Sequence, residues 1–158
     1  EWYLERIESI KRIIPGCAIS TDMITGFCDE SEEDHLETLS LMNKVEFNFS
    51  YMFFYSERPK TLAQRKYEDN IPTLIKKRRL QEVIDLQREH SIKHNQSFVG
   101  KIVEVLVEGP SKKSPLELSG RNNENCKVVF PKENAKKGDY VNVIIKDFTS
   151  ATLKGKIV

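Results

Sequence analysis

Between Ser20 and His35 the sequence reads STDMITGFCDESEEDH, and five carboxylates, Asp29, Glu30, Glu32, Glu33 and Asp34, fall within six positions. Carboxylate oxygens at that density are the donors a hard cation takes. The spacing is not that of a calcium loop, however, and no glycine stands at the turn such a loop needs. Ser31 followed three residues later by Asp34 has the form of a capping box, and acids in a first helical turn are favoured by the helix dipole. The expectation is a helix cap rather than a metal site.

Three other groups carry chemical interest. His90 and His94 stand four apart, the spacing of a zinc pair on one helical face, but no Glu follows the first and no third ligand is evident. They are expected to be a solvated pair near a helix end. Lys76, Lys77, Arg78 and Arg79 form a basic run that reads as a solvated helix face, with an RNA-facing role as the alternative. The segment VEGPSKKSPLELSGR places Lys112 and Lys113 in a Gly-, Pro- and Ser-rich loop, with Arg121 at the next strand. Loops on small barrels meet oligonucleotides, with Lys and Arg neutralising phosphates. No Ser-His-Asp arrangement, phosphate-cradling glycine loop or nucleotide fingerprint is present.

The elements that must position these groups follow from periodicity. EWYLERIESIKRIIPG has helical spacing stopped by Pro15-Gly16, CAISTDMITGF reads as a strand, and a helix opens at Ser31 and runs through Val45. FNFSYMFFYS is apolar enough to read as a strand buried on both faces. This α-β-α-β order is the signature of a parallel α/β sheet, and two strands are too few to complete one. A polar connector, ERPKTLAQRKYEDNIP, leads to a long helix over residues 73–94. After Asn95 the pattern changes to about five short alternating strands separated by turn clusters, the signature of a small antiparallel barrel. The expected domains are therefore 1–94 and 95–158.

Composition is that of a globular chain, with 39% hydrophobic and 31% charged residues among 158, and no run approaches a membrane span or a secretory signal. Cys17, Cys28 and Cys126 are widely spaced and odd in number, which argues against a disulfide framework and for a reducing, cytoplasmic setting. Charge is asymmetric. Residues 1–57 carry 4 basic and 12 acidic side chains, residues 58–158 carry 21 and 12, so the second part is the one suited to a polyanion. The chain begins at Glu1 inside a helical pattern, as a fragment of a longer protein would.

The order TDMITGF, ESEED, FFYSERPKT and then LQREHSIKHNQSFVGKIVEVLVEGPSKKSPLELSGR resembles the radical-S-adenosylmethionine methylthiotransferases over essentially the whole chain. The resemblance implies the C-terminal part of a partial (β/α) radical barrel, including the connecting helix 73–94, followed by an OB-like TRAM β-barrel. The VLVEG and SKKS segments are most similar to the branch that methylthiolates C2 of N6-isopentenyladenosine beside the anticodon of tRNA. In such barrels a strand of the form Gly-x-Ile-x-Gly-Tyr lies against the cofactor's adenine. By this resemblance Asp22, Ile24 and Gly26 are S-adenosylmethionine-binding residues, and Lys112, Lys113, Arg121, Lys101 and Lys127 contact the tRNA anticodon stem-loop.

The sequence departs from the family pattern in places. Gly26-Phe27-Cys28-Asp29-Glu30-Ser31 stands where the family has Gly-Phe-Pro-Gly-Glu-Thr, and Lys60 stands at a family glycine. The Cys-x3-Cys-x2-Cys loop and the three auxiliary-cluster cysteines are absent, so this chain is expected to bind no cofactor and to be inactive by itself. S-adenosylmethionine and two [4Fe–4S] clusters would belong to the full-length parent, with the missing N-terminal part as its partner. No membrane partner is expected, and the open sheet edge leaves two states open, a monomer or a dimer through that edge. Two alternatives stand beside this reading: a freestanding RNA-binding module, and a methylthiotransferase acting on a ribosomal protein.

Overall fold

The computed structural model describes all residues, Glu1–Val158, as two compact units. The first comprises residues 1–7 and 19–90, the second 8–18 and 91–158, so the first and last long helices each contribute to both.

In the first unit, α1 (Trp2–Ile13) precedes β1 (Ser20–Thr25), α2 (Glu32–Val45), β2 (Phe49–Phe54), the short α3 (Leu62–Lys66) and α4 (Thr73–Gln96). β1 and β2 pair in parallel, with Asp22 opposite Tyr51 and Ile24 opposite Phe53. Ile7, Met23, Met42, Val45, Phe47 and Val83 make the core, so the helices cover one face of the sheet. The α-β-α-β order is as expected, and the connector differs only in carrying α3.

The strand FNFSYMFFYS is not buried on both faces. Ser50 is buried, with Met52 and Phe54 half-covered, while Phe49, Tyr51 and Phe53 are exposed. Side chains alternate across a strand, and helices pack here on one side only. Continuous hydrophobicity reported composition without reporting how many layers cover the sheet.

Two departures from family glycines are explained by the backbone. Asp29 and Lys60 adopt φ of 63° and 68°, the left-handed region that glycine enters without steric cost. Asp29 is held there by Asn70, whose Oδ1 accepts the Asp29 N–H at 3.0 Å and whose Nδ2 donates to Asp29 Oδ1 at 2.5 Å. The turn keeps a glycine-like shape without its glycine.

In the second unit β3 (Ile102–Pro110), β4 (Glu117–Arg121), β5 (Lys127–Pro131), β6 (Tyr140–Phe148) and β7 (Leu153–Ile157) close a barrel in the order β3-β4-β5-β7-β6. Phe98, Val105, Val107, Leu118, Val128, Phe130, Val143, Ile145 and Leu153 fill it. The expectation of an antiparallel barrel needs one correction, because β5 and β7 pair in parallel. β7 follows β6 through a tight turn and must then meet β5 to close the ring, and the strand order fixes that last pairing as parallel.

Gly120 and Gly155 set the barrel's tightest approaches. A Cβ on Gly120 would lie 2.1 Å from the Leu106 carbonyl oxygen, and one on Gly155 would lie 2.3 Å from that of Ile144. No helix is long and apolar enough to cross a membrane.

Candidate nucleic-acid interface

The barrel segment 96–158 carries eleven basic and seven acidic side chains, a surplus of four positive charges. Arg121 ends β4 and Lys127 begins β5, and the two are cross-strand partners in the antiparallel pair. Like charges directly opposite one another are unfavourable in a sheet. Arg121 is steadied by Glu108, 3.3 Å from its Nε, and by the Asn125 carbonyl, which accepts from Nη1 at 2.8 Å. The paired cations are thus held on the surface at a cost an anion would relieve.

Lys112 and Lys113 are exposed in the loop after β3, where Ser111 and Ser114 hydroxyls accept backbone N–H groups of Lys113 and Leu116. Lys101 lies just before the start of β3, its Nζ 5.7 Å from the Phe98 ring centroid. It stands at the opposite end of the strand from Lys112 and Lys113. The structure therefore brings Arg121 and Lys127 together, sets the loop lysines at one end of β3 and leaves Lys101 at the other.

In the first unit Asp22 and Ile24 share the open face of β1, and Ile24 is 60% exposed beside Phe53. Gly26 differs. Its φ is 70°, the space a Cβ would need is filled by Lys76 Cγ at 2.4 Å, and its N–H is bonded to the Glu30 carboxylate. Ile24 offers an exposed apolar surface for a planar ring with the Asp22 carboxylate beside it, whereas Gly26 is committed to protein contacts.

The acidic cluster is a cap. Ser31 Oγ accepts the Asp34 N–H at 3.1 Å while Asp34 Oδ2 accepts the Ser31 N–H at 2.9 Å. Hydrogen bonds donated to its Oδ2 by the Ser31 N–H and the Ser31 hydroxyl hold the Asp34 carboxyl below the usual carboxylate range. Glu32 is lowered likewise by hydrogen bonds from Arg78 and Arg79.

The basic run on α4 is a solvated face only in part, with Lys77 and Arg78 exposed. Lys76 and Arg79 are buried, Lys76 reaching Asp69 and the Tyr55 carbonyl and Arg79 reaching Glu30 at 2.8 Å. Arg78 bridges Glu32 and Glu82. A cation buried to this degree needs a carboxylate partner, which Asp69 supplies to Lys76 and Glu30 and Glu32 supply to Arg79.

The α4 histidines are not a solvated pair. His90 is buried against Asn43 Oδ1 at 3.2 Å, and His94 meets Glu124 at 3.1 Å and the Phe98 ring edge-on. Cys126 Sγ lies 3.8 Å from the same His94 Nε2 that faces Glu124. A relay would need the acid on Nδ1 and the nucleophile on Nε2. Burial, aided by Glu124, moreover pushes the Cys126 thiol up to about 11, so this trio is structural. No three His, Cys, Asp or Glu side chains gather as a metal site, and all three cysteines are free.

Comparison with known proteins agrees with the resemblance read from the sequence. The TRAM domain family matches residues 96–158, the segment that contains the barrel. The chain is 59% identical over 157 residues to the tRNA-2-methylthio-N(6)-dimethylallyladenosine synthase of Amoebophilus asiaticus, covering 99% of this chain and 32% of that protein. The synthases of the same name from Flavobacterium psychrophilum and Bacteroides fragilis are 56% and 51% identical over all 158 residues, 33% and 35% of their lengths. The chain spans about a third of the length of the curated relatives it matches, and it corresponds to their C-terminal region.

Proposed function

We propose that this chain is the C-terminal portion of a cytoplasmic radical-S-adenosylmethionine tRNA methylthiotransferase acting on C2 of N6-isopentenyladenosine beside the anticodon. Its first 94 residues would be the end of the radical barrel, and 95–158 the domain that grips the anticodon stem-loop. The observation that carries this reading is the likeness, over essentially all of this chain and about a third of their own length, to synthases of that name, together with the TRAM match.

The residues present do not fit an iron–sulfur cluster, which takes thiolates in a close set, since Cys17, Cys28 and Cys126 are far apart in sequence and no three ligands converge. Those ligands belong to the remainder of the parent. S-adenosylmethionine, when bound, supplies the radical chemistry, and the protein's part is binding and orientation. Ile24 and Asp22 are suited to that part, Ile24 by packing against the adenine and Asp22 by a carboxylate beside it. Gly26 contributes by shaping the strand's end.

On the barrel, Arg121, Lys127, Lys112 and Lys113 neutralise phosphates, with Lys101 at a separate contact. An adenosine beside the anticodon lies in a loop, where unstacked bases can be splayed toward a protein. The surplus of positive charge on the barrel favours RNA over a ribosomal protein as the thing gripped. The free edges of the β1-β2 sheet are where strands of the parent barrel, or a second copy, would pair.

The reading frame upstream of Glu1 tests the proposal. A Cys-x3-Cys-x2-Cys loop preceded by three further cysteines is the expected finding. A start codon near Glu1 with no such loop in frame would leave a freestanding RNA-binding module instead.

A further inference from the structure

Four outward-facing side chains stand side by side across four adjacent strands. Tyr140 of β6 pairs with Leu106 of β3, Leu106 with Arg121 of β4, and Arg121 with Lys127 of β5. Residues directly opposite in antiparallel strands project from the same face, so the four form one row about 14 Å long at the usual strand spacing. We infer that this row is a seat for an unpaired nucleotide, with the base on Tyr140 and Leu106 and its flanking phosphates on Arg121 and Lys127. The inference deepens the RNA-binding reading of the same barrel and rests on it.

A lone exposed tyrosine on a strand needs no explanation. Here the ring is 66% exposed and its neighbour in the row is an exposed leucine rather than a polar residue, which makes a flat apolar step beside two cations. The backbone that carries the ring is also anchored. Gly138 N–H donates to the Val107 carbonyl and Val107 N–H donates to the Asp139 carbonyl, both at 2.9 Å, so the backbone before Tyr140 is pinned to β3. Asp139 Oδ2 further accepts the Lys136 N–H at 2.8 Å. An aromatic ring on a pinned backbone has few torsions left to order when it stacks on a base, and every base offers a π-face.

The acids nearby set the orientation. Glu104 and Glu108 project from the same face of β3 on either side of Leu106, and Glu108 is engaged by Arg121. They repel phosphates from the β3 side, so the sugar-phosphate chain follows Arg121 and Lys127 while the base turns inward over the apolar step. Lys136 and Lys137, in the turn before Tyr140, offer a second phosphate contact beyond the ring.

The test is fluorescence anisotropy of the 158-residue chain with a labelled anticodon stem-loop, comparing Tyr140→Thr, Tyr140→Phe and Lys127→Ala over a salt series. Threonine keeps strand propensity while removing the ring. Tyr140→Thr is expected to weaken binding by about fivefold to a hundredfold with an unchanged salt slope, the range of losing one stacked base. Tyr140→Phe should stay within about twofold, and Lys127→Ala should flatten the slope by about 0.7 to 0.9. Wild-type affinity in Tyr140→Thr, with the salt dependence intact, would overturn the stacking seat and leave the RNA-binding reading standing. Equal loss in Tyr140→Phe and Tyr140→Thr would overturn it as well, by assigning the effect to the hydroxyl. Absence of salt-dependent binding in the wild-type chain would remove both.

Discussion

Lys76 lies across Gly26 so closely that a Cβ on the glycine would meet Lys76 Cγ at 2.4 Å, inside any real contact distance. The stem cannot swing away, because Lys76 is buried and its ammonium is held by Asp69 and by the Tyr55 carbonyl at 3.3 Å. Gly26 also has φ of 70°. Gly26→Ala therefore combines overpacking with left-handed strain, and is expected to destabilise the first unit by about 2 to 4 kcal/mol. Thermal unfolding followed by circular dichroism measures it, and an unchanged midpoint would refute the packing.

Lys60 occupies the left-handed region with its backbone N–H donated to Gln64 Oε1 at 3.3 Å, a bond that does not depend on the lysine side chain. Lys60→Gly is expected to stabilise the chain by up to about 1 kcal/mol. Asp29→Gly gains the same backbone relief but forfeits the Asn70 hydrogen bond, so it should be close to neutral. Urea unfolding of the two variants side by side distinguishes them, and a destabilised Lys60→Gly would contradict the account.

Arg79 is a buried cation whose partners are Glu30 at 2.8 Å and Glu32 at 3.1 Å. Arg79→Ala leaves the largely buried Glu30 without its cation, a change expected to cost about 3 to 5 kcal/mol. Restoring neutrality with Glu30→Gln in the same chain should recover part of the loss, as a double-mutant cycle would show.

The cap on α2 gives a pH dependence of definite sign. The Asp34 and Glu32 carboxyls sit below their ordinary values of 3.8 and 4.5 in the folded chain. A depressed carboxyl contributes stability that is present above its unfolded value and is lost as pH falls through its folded value. Unfolding midpoints should therefore drop as the solution is acidified below about pH 4.5. Ser31→Ala should lower stability by about 1 kcal/mol near neutrality and weaken that acid dependence. An acid profile identical to wild type would contradict the capping box as its source.

Much of this was legible beforehand, because it is written in local pattern. Ser31 and Asp34 declare the cap at fixed spacing, and alternation in IVEVLVEG declares β3. What escaped was whatever depends on layers meeting. Phe49, Tyr51 and Phe53 read as buried because nothing local counts the sheet's covered faces. Arg79 read as solvated because its partners Glu30 and Glu32 lie more than 40 residues away, and Lys76 because Asp69 and Tyr55 reach it across the connector. For the candidate interface, the SKKS loop and Arg121 stood out by composition. Tyr140 did not, since only the register across β6, β3, β4 and β5 places it beside them. The one available signal was its position at the head of an alternating strand.

The central claim is that the barrel meets RNA through its phosphates, and the most direct measurement is a salt titration of the chain with an anticodon stem-loop. The logarithm of affinity should fall linearly with the logarithm of salt concentration, and replacing Lys112 and Lys113 together by alanine should reduce the slope by about 1.5. A flat salt response in the wild-type chain would contradict the claim, and the assignments of Lys112, Lys113, Arg121 and Lys127 would fall with it.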